Sequence, residues 1–336
     1  STLPSQSEFA FQDFEMPVLS PADVQEVLDY GVLGIALSRF SGLWTGMIAL
    51  ADTMDSGVTI DVSLGRHQAV IPDFPFPPGG LGIRLKDQPM EKERRMRLHK
   101  LPAALAFARA NHIDRVVLGA SHVRVGKARL GIVCQGQAYK DVLEAFTAMG
   151  MTLQEAADLG VSIYKVGMPW PLEPLGLRAF AAGLETLMVI EHKRGLIEPQ
   201  ARAALYDLPA QARPRIIGKV DERGAPLLSE LTSLSVAEIA LAAGDAPRAV
   251  SLLPAQASGR PDVLLHAQAR LRAGQPAEAA QHLQAWVALH PRDAAAWQLL
   301  AASDAAQNRP LRAIRAEAEA QVALLDYAAA IDRFKA

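Results

Sequence analysis

The sequence predicts an α/β domain built on a parallel sheet, followed by an all-α segment of helical repeats. Between Arg129 and Tyr206, short apolar runs alternate with segments of helical spacing. Leu130-Gly-Ile-Val-Cys134 precedes a helical pattern through Val142, Leu143, Phe146 and Met149. Val161-Ser-Ile-Tyr-Lys-Val166 precedes Leu175, Phe180 and Leu184, and Leu187-Met-Val-Ile190 precedes Ile197, Ala201 and Leu205. Strands covered on both faces by crossover helices read as continuous apolar runs in this way. Near the C-terminus the period changes: Leu265, Gly274 and Pro276 recur at Leu299, Asn308 and Pro310, each 34 positions later, with Ala280 matched by Ile314. A 34-residue period of paired helices is the signature of tetratricopeptide repeats, whose units bury a continuous core only by stacking.

Composition narrows the function classes. The 336 residues, half of them hydrophobic, suffice for two or three domains. A formal charge of -2 with interspersed signs leaves no electrostatic footprint for nucleic acid. No apolar run approaches the roughly 20 residues that cross a bilayer, and no signal-peptide pattern opens the chain, so a cytoplasmic location is expected. A single cysteine excludes an internal disulfide, cysteine-ligated zinc and a cysteine-ligated iron–sulfur cluster. Ser1-Thr-Leu-Pro4, with no initiating Met, reads as the interior of a longer protein.

Taken in order, Ser20 as N-cap with Pro21 at the first helical position predicts a helix that carries Val24, Val27, Leu28, Val32 and Ile35 to about Phe40. After Ser41-Gly42 a second helical pattern runs through Trp44, Met47, Ile48 and Ala51, and Val58 to Val62 is a strand candidate. Residues 63–89 hold Pro72, Pro75, Pro77, Pro78, Gly79, Gly80 and Gly82, which forbid a long helix. Phe74 and Phe76 there predict a loop lying against a surface. From Met90 a charged helix becomes apolar at Leu105 and Phe107; its basic run, Glu91 to Arg97, is a solvated face. Asp114 to Leu118 is the first strand of the α/β domain and Arg215 to Ile217 the last.

These segments carry a resemblance. Ser1-Thr-Leu-Pro4 with Gln6-Ser-Glu8, Met16-Pro-Val-Leu19, Leu28-Asp-Tyr-Gly31, Leu37-Ser-Arg39, Pro78-Gly-Gly-Leu81, Arg109-Ala-Asn111, Lys165-Val-Gly-Met168, Trp170-Pro-Leu-Glu173, Val189-Ile-Glu191 and Gly218-Lys219 resemble the large fused bacterial indolepyruvate ferredoxin oxidoreductases. The likeness covers about two thirds of the chain and stops near Asp221 to Gly224. It implies a 2-oxoacid oxidoreductase using thiamine diphosphate, magnesium and iron–sulfur clusters to decarboxylate an aryl pyruvate and reduce ferredoxin. By the same resemblance, residues 1–62 are the incomplete tail of a pyrimidine-binding thiamine domain and 63–89 a connecting loop. Residues 90–220 are then a transketolase-C-like domain, 221–234 a linker and 235–336 the repeats.

Several family parts are not found. There is no Gly-Asp-Gly segment followed by Asn for magnesium and diphosphate, and no carboxylate that would activate the cofactor. No catalytic residue is therefore carried over, and this chain alone is expected to be inactive, since the cofactors perform the hard steps. Ser5, Gln6 and Glu8 border the cofactor cleft if the resemblance holds; as residues they are ordinary loop positions. The repeat segment also resembles the C-terminal tail of periplasmic zinc metalloproteases, through Gln298-Leu-Leu-Ala301 and the run from Arg312 to Ile331. No His-Glu-x-x-His accompanies it.

Single residues admit sharper readings beside plain ones. Cys134 is a buried small hydrophobe in a strand before it is a reactive thiol. Gly131 to Gln135-Gly136 ends a strand before a helix, where an anion could bind; a tight turn is the plainer account. Glu191-His-Lys-Arg194 follows a strand's carboxyl end, where α/β domains place ligands, or is a charged loop. The remaining histidines, including His266, show no ligand spacing and are expected to face solvent or bond locally.

Two functions follow. Part of an oxidoreductase, partnered by further domains and ferredoxin, should leave apolar surface exposed at its ends and Pro/Gly loop. A helical-repeat scaffold should present a groove to a peptide or protein partner and end in a polar cap.

Overall fold

The computed structural model describes residues 6–63, 66, 68–120, 128–230, 238–240, 246–253 and 259–335. The chain divides into two compact units, Ser1–Leu234 and Ser235–Ala336.

The first unit is organised by a five-stranded sheet: β3 (Arg115–Leu118), β4 (Leu130–Gln135), β5 (Val161–Val166), β6 (Thr186–Ile190) and β7 (Arg215–Ile217), in the order β3-β5-β4-β6-β7. β4 pairs in parallel with β5 and β6, and β6 with β7. The sheet is not parallel throughout, because β3 runs antiparallel to β5. β3 is an edge strand, half-buried along its length, and an antiparallel edge needs no crossover helix over the sheet. Helices α6 (Gly136–Ala148), α7 (Leu153–Asp158), α8 (Pro174–Ala181) and α9 (Ile197–Leu205) connect the parallel strands. The core sits where Val133, Tyr164, Leu187 and Val189 of the strands meet Leu177, Phe180, Ile197 and Leu205 of the helices. α7 begins in a capping box, Thr152 with Glu155, which satisfies two backbone donors reciprocally.

N-terminal to the sheet, α1 (Glu8–Asp13), β1 (Val18–Leu19), α2 (Val24–Ser41), β2 (Gly46–Met47) and the short α3 (Ala51–Met54) precede the Pro/Gly loop. The predicted start of α2 shifts by three residues. Asp23, not Ser20, is the N-cap, accepting the Glu26 N–H at 2.9 Å. Ser20 is drawn into extended backbone instead, its N–H donating to the Gly167 carbonyl. α2 ends as expected at Gly42, whose φ of +70° is left-handed; a Cβ there would lie 2.9 Å from the Leu81 carbonyl carbon.

Two expectations fail here for the same reason. The helical pattern from Trp44 to Ala51 yields to β2 because Gly46 and Met47 find β1 as a parallel partner. Val58 to Val62 is not a strand: among the described residues no strand pairs with it, the Gln25 side chain takes the Asp61 N–H and carbonyl instead, and Val58 and Val62 are exposed. The Pro/Gly loop does lie against a surface, with the rings of Phe74 and Phe76 edge-on to Phe40 at 6.2 and 5.6 Å. The helix from residue 90 is α4 (Pro89–Arg95), a widened turn over Met96–Lys100, and α5 (Leu101–Ala110). Pro102 has no N–H to return to Leu98, and the helical ladder opens just before it.

Among the described residues the second unit is helical: α10 (Ala246–Leu252), α11 (Arg260–Arg272), α12 (Pro276–Leu289), α13 (Ala294–Ala306), α14 (Pro310–Ala323) and α15 (Tyr327–Lys335). The 34-residue recurrence has a backbone meaning. Gly274 and Asn308 both adopt left-handed φ, +76° and +62°, where the chain reverses, and Pro276 and Pro310 both begin the next helix. Small and aliphatic side chains fill the seam: Ala279, Ala280, Leu283, Val287, Ala296, Leu300 and Ala316. Asp293 caps α13 through the Ala296 N–H and joins α11 through Arg260. Residues 241–245, just before α10, lie outside the described residues.

Candidate functional site

In an open α/β sheet, ligands bind outside the carboxyl ends of adjacent strands whose connections leave in opposite directions. Here those strands are β4 and β6, paired through Cys134 and Ile190 at their carboxyl ends. β4 leads to α6 and then β5 on one side; β6 leads to α9 and then β7 on the other. The loops at this point carry most of the residues singled out from the sequence.

α6 starts immediately after β4, at Gly136. Its φ is +45°, and a Cβ would stand 2.6 Å from Ser20 Oγ, so glycine lets the N-terminal segment approach the helix start. From α6, Asp141 Oδ2 meets His192 Nε2 of the loop after β6 at 2.7 Å, while Asp141 Oδ1 accepts from Gln137 at 3.1 Å. Gln6 reaches the same loop: its Nε2 donates to the Arg194 carbonyl at 2.9 Å, and its Oε1 accepts the Arg194 N–H at 3.2 Å. The Arg194 guanidinium lies over the Phe9 ring at 4.1 Å. Burial raises the Glu8 carboxyl above its ordinary pKa, against the lowering pull of the Glu8 and Ser7 backbone N–H groups and of His192. Gln6, Glu8, Asp141 and His192 thus converge although 184 residues separate Glu8 from His192 in sequence. Ser5 lies outside the described residues.

Not every residue of the loop is available. Glu191 is fully buried, and its carboxylate accepts the N–H groups of Leu196, Ile197 and Glu198 at 2.8, 2.9 and 3.0 Å. It caps α9 from inside the protein, while Lys219 Nζ donates to the Glu191 and Ser229 carbonyls. Cys134 is fully buried, and burial pushes its thiol up to about 12, which keeps it protonated and unreactive. His266, in the other unit, is buried and bonded to Arg270 at 2.8 Å.

Beside this crevice the carboxyl end of β5 holds groups that spacing did not reveal. Glu26 accepts from Ala22 N at 2.9 Å, Tyr30 Oη at 3.4 Å and Arg115 at 2.8 Å, and pairs with Lys165 Nζ, which also lies 4.5 Å above the Tyr139 ring. These contacts fasten α2 to the sheet. On the opposite face, Asp114 Oδ1 accepts the N–H groups of Gly167 and Met168 at 2.8 and 2.9 Å, and Oδ2 has no hydrogen-bond partner. Burial pushes the Asp114 carboxyl up to about 7, partly opposed by those N–H groups.

The folded state therefore holds the Asp114 proton more tightly than the unfolded chain does. That contribution is present in acid and is lost as pH rises from about 4 through about 7. In urea titrations at pH 5 and pH 8, D114N should gain stability relative to the parent on going to the higher pH, by on the order of 2–4 kcal/mol. A parent-minus-variant difference independent of pH would disprove the raised pKa.

Residues 121–257 match the family model of the indolepyruvate oxidoreductase domain. Gln135, Asp141, Glu191 and His192 all fall within it. The match supports the motif likeness, and it runs beyond Gly224, where the residue-by-residue likeness ends. Residues 262–303 match a tetratricopeptide repeat model. No curated protein matches the chain significantly. Among solved structures 23 chains match. One is the 2-oxoglutarate:ferredoxin oxidoreductase from Magnetococcus marinus with 2-oxoglutarate, coenzyme A and succinyl-CoA bound. It shares 16% identity at a TM-score of 0.37, over 67% of this chain and 41% of that one. At that score the likeness decides nothing about the fold.

Of the cofactors that the resemblance implies, a cysteine-ligated iron–sulfur cluster does not fit the residues present. A [4Fe–4S] cluster takes about four thiolates, and the chain has one thiol, sealed inside β4. For magnesium and diphosphate, no three His, Cys, Asp or Glu side chains converge as metal ligands among the described residues. Asp141 is already committed to His192 and Gln137. The arrangement holds loops together and positions an imidazole.

Proposed function

We propose that this chain serves as part of an aryl 2-oxoacid ferredoxin oxidoreductase of the indolepyruvate type, and that alone it does not decarboxylate. The family-model match over 121–257 is the observation that carries this reading. Residues 90–220 would act as the transketolase-C-like buttress, and residues 1–62 as the part of a pyrimidine-binding domain that packs on it. Thiamine diphosphate, magnesium and iron–sulfur clusters would come from further domains, ferredoxin would take the electrons, and the cytoplasm would house the reaction.

Exposed apolar surface supports the reading. Leu28, Val32 and Ile35 form a stripe along one face of α2, and Ile83 and Leu85 of the Pro/Gly loop are 85% and 86% exposed. Contiguous apolar surface of this kind marks a face that another body covers. The test is calorimetric titration of the chain with thiamine diphosphate and magnesium, together with an indolepyruvate-dependent dye-reduction assay. No heat of binding and no reduction are expected; tight binding or turnover by this chain would overturn the claim of an incomplete site.

The tetratricopeptide match favours a second reading for the second unit, a non-enzymatic scaffold that binds a protein partner. No helix among the described residues is long and apolar enough to cross a membrane.

A further inference from the structure

In the second unit a cavity of about 780 Å³ opens at one end of the helices. Its wall runs from Arg260 at the start of α11, through Trp286 and His290 at the end of α12, to Arg292 in the following turn and Leu324 just past α14. We propose that this cavity docks a short acidic peptide segment with aliphatic side chains, presented by a partner protein. The proposal goes beyond the scaffold reading by naming the partner's chemistry and the place it binds, and it rests on that reading alone, not on the oxidoreductase one.

Charge decides the partner's sign. Among the lining residues Asp293 is the only acid, and it is spent internally. Its Oδ2 accepts from Arg260 Nε at 2.7 Å and from Trp286 Nε1 at 3.0 Å, and its Oδ1 from a second Arg260 nitrogen at 2.9 Å and the Ala296 N–H at 3.3 Å. Arg292 is exposed and makes no ion pair among the described residues, which leaves the cavity with an excess of positive charge. A glutamate or aspartate entering here gains a cation without competing with an acid already present.

Shape and rigidity decide the rest. Ala294, Ala295, Ala323 and Leu324 give the cavity an apolar floor suited to an aliphatic side chain. The Trp286 ring is held from one side by Asp293 and from the other by His290, stacked at 3.7 Å and 15°. A wall already fixed loses little freedom when a ligand arrives, and buried Trp and Arg are the residues that most often dominate an interface.

The test is fluorescence anisotropy of the full chain with a fluorescein-labelled peptide of alternating glutamate and leucine, against the same peptide with lysine for glutamate. The glutamate probe should bind at least about tenfold more tightly than the lysine probe, and R292E and L324E should each weaken it about tenfold. Circular dichroism checks that both exposed-site variants stay helical. Equal binding of the two probes, no binding of the glutamate probe, or its displacement by single-stranded RNA would overturn the proposal. A bound probe that ignores both variants would overturn this site while leaving the scaffold reading intact.

Discussion

E26A is expected to lower the stability of the first unit by about 3–5 kcal/mol, the cost of removing one partner from a buried ion pair. Glu26 and Lys165 are 7% and 2% exposed, and Arg115 and Tyr30 bond to the same carboxylate. Burial already depresses the Lys165 pKa, with Glu26 opposing that effect, so the alanine leaves an ammonium in a pocket that no longer favours its charge. The second change K165M should recover much of the loss, because an apolar chain of similar length needs no partner. Urea unfolding of the parent, E26A and E26A/K165M measures all three. A loss below about 1 kcal/mol in E26A would show that the network does not hold α2 to the sheet. Since α2 and the extended segment before it pack at the carboxyl ends of β4 and β5, loss of that anchor should also loosen the nearby loop 191–194, readable as faster amide exchange.

F180A is expected to cost about 3–5 kcal/mol, the usual range for emptying an aromatic site in a core. Phe180 is 1% exposed, stacks on Tyr164 with ring centroids 5.1 Å apart, and lies over Gly131 of the central strand. A Cβ on Gly131 would stand 2.8 Å from Phe180 Cε1 and also collide with Leu184. G131A alone should therefore destabilise by about 1–3 kcal/mol through overpacking. In the F180A background Leu184, whose Cδ1 is the nearer contact, gains the space left by the ring to swing into, so G131A should cost less than it does in the parent. A double-mutant cycle by urea denaturation checks this; additive losses would mean the two positions do not share one volume.

Gly131 shows how much of the sheet could be read in advance. Its apolar neighbours mark β4, and the same reasoning locates β5 and β6, because strands covered on both faces read as nearly continuous apolar runs. The antiparallel direction of β3 could not be read from Asp114 to Leu118, since strand direction depends on which neighbour the chain reaches and not on side-chain type. β2 hid inside a helical pattern for a related reason. Gly46 and Met47 became a strand only because Val18 and Leu19 lay ready to pair with them.

The candidate site divides along the same line. Gln6, Glu8 and the loop from Glu191 to Arg194 drew attention through motif and position, and the fold brings them together. Asp141 gave no signal: an acid on the exposed-looking side of a helix is common, and only its 2.7 Å approach to His192 distinguishes it. Glu191 looked available, yet the start of α9 closes over it and engages both its carboxylate oxygens with three backbone N–H groups.

Local chemistry by itself determined the α/β class, the strand positions, the glycine helix end at Gly42 and the 34-residue repeat with its left-handed Gly274 and Asn308. Each of these follows from periodicity or from the backbone freedom of one residue. Tertiary structure alone decided which charges are buried and paired, as with Glu26 and Lys165, 139 residues apart. It also decided which faces stay uncovered, as with Leu28, Val32 and Ile35. Pairing and exposure depend on distances between segments remote in sequence, and those distances are set by packing, which no window along the chain contains.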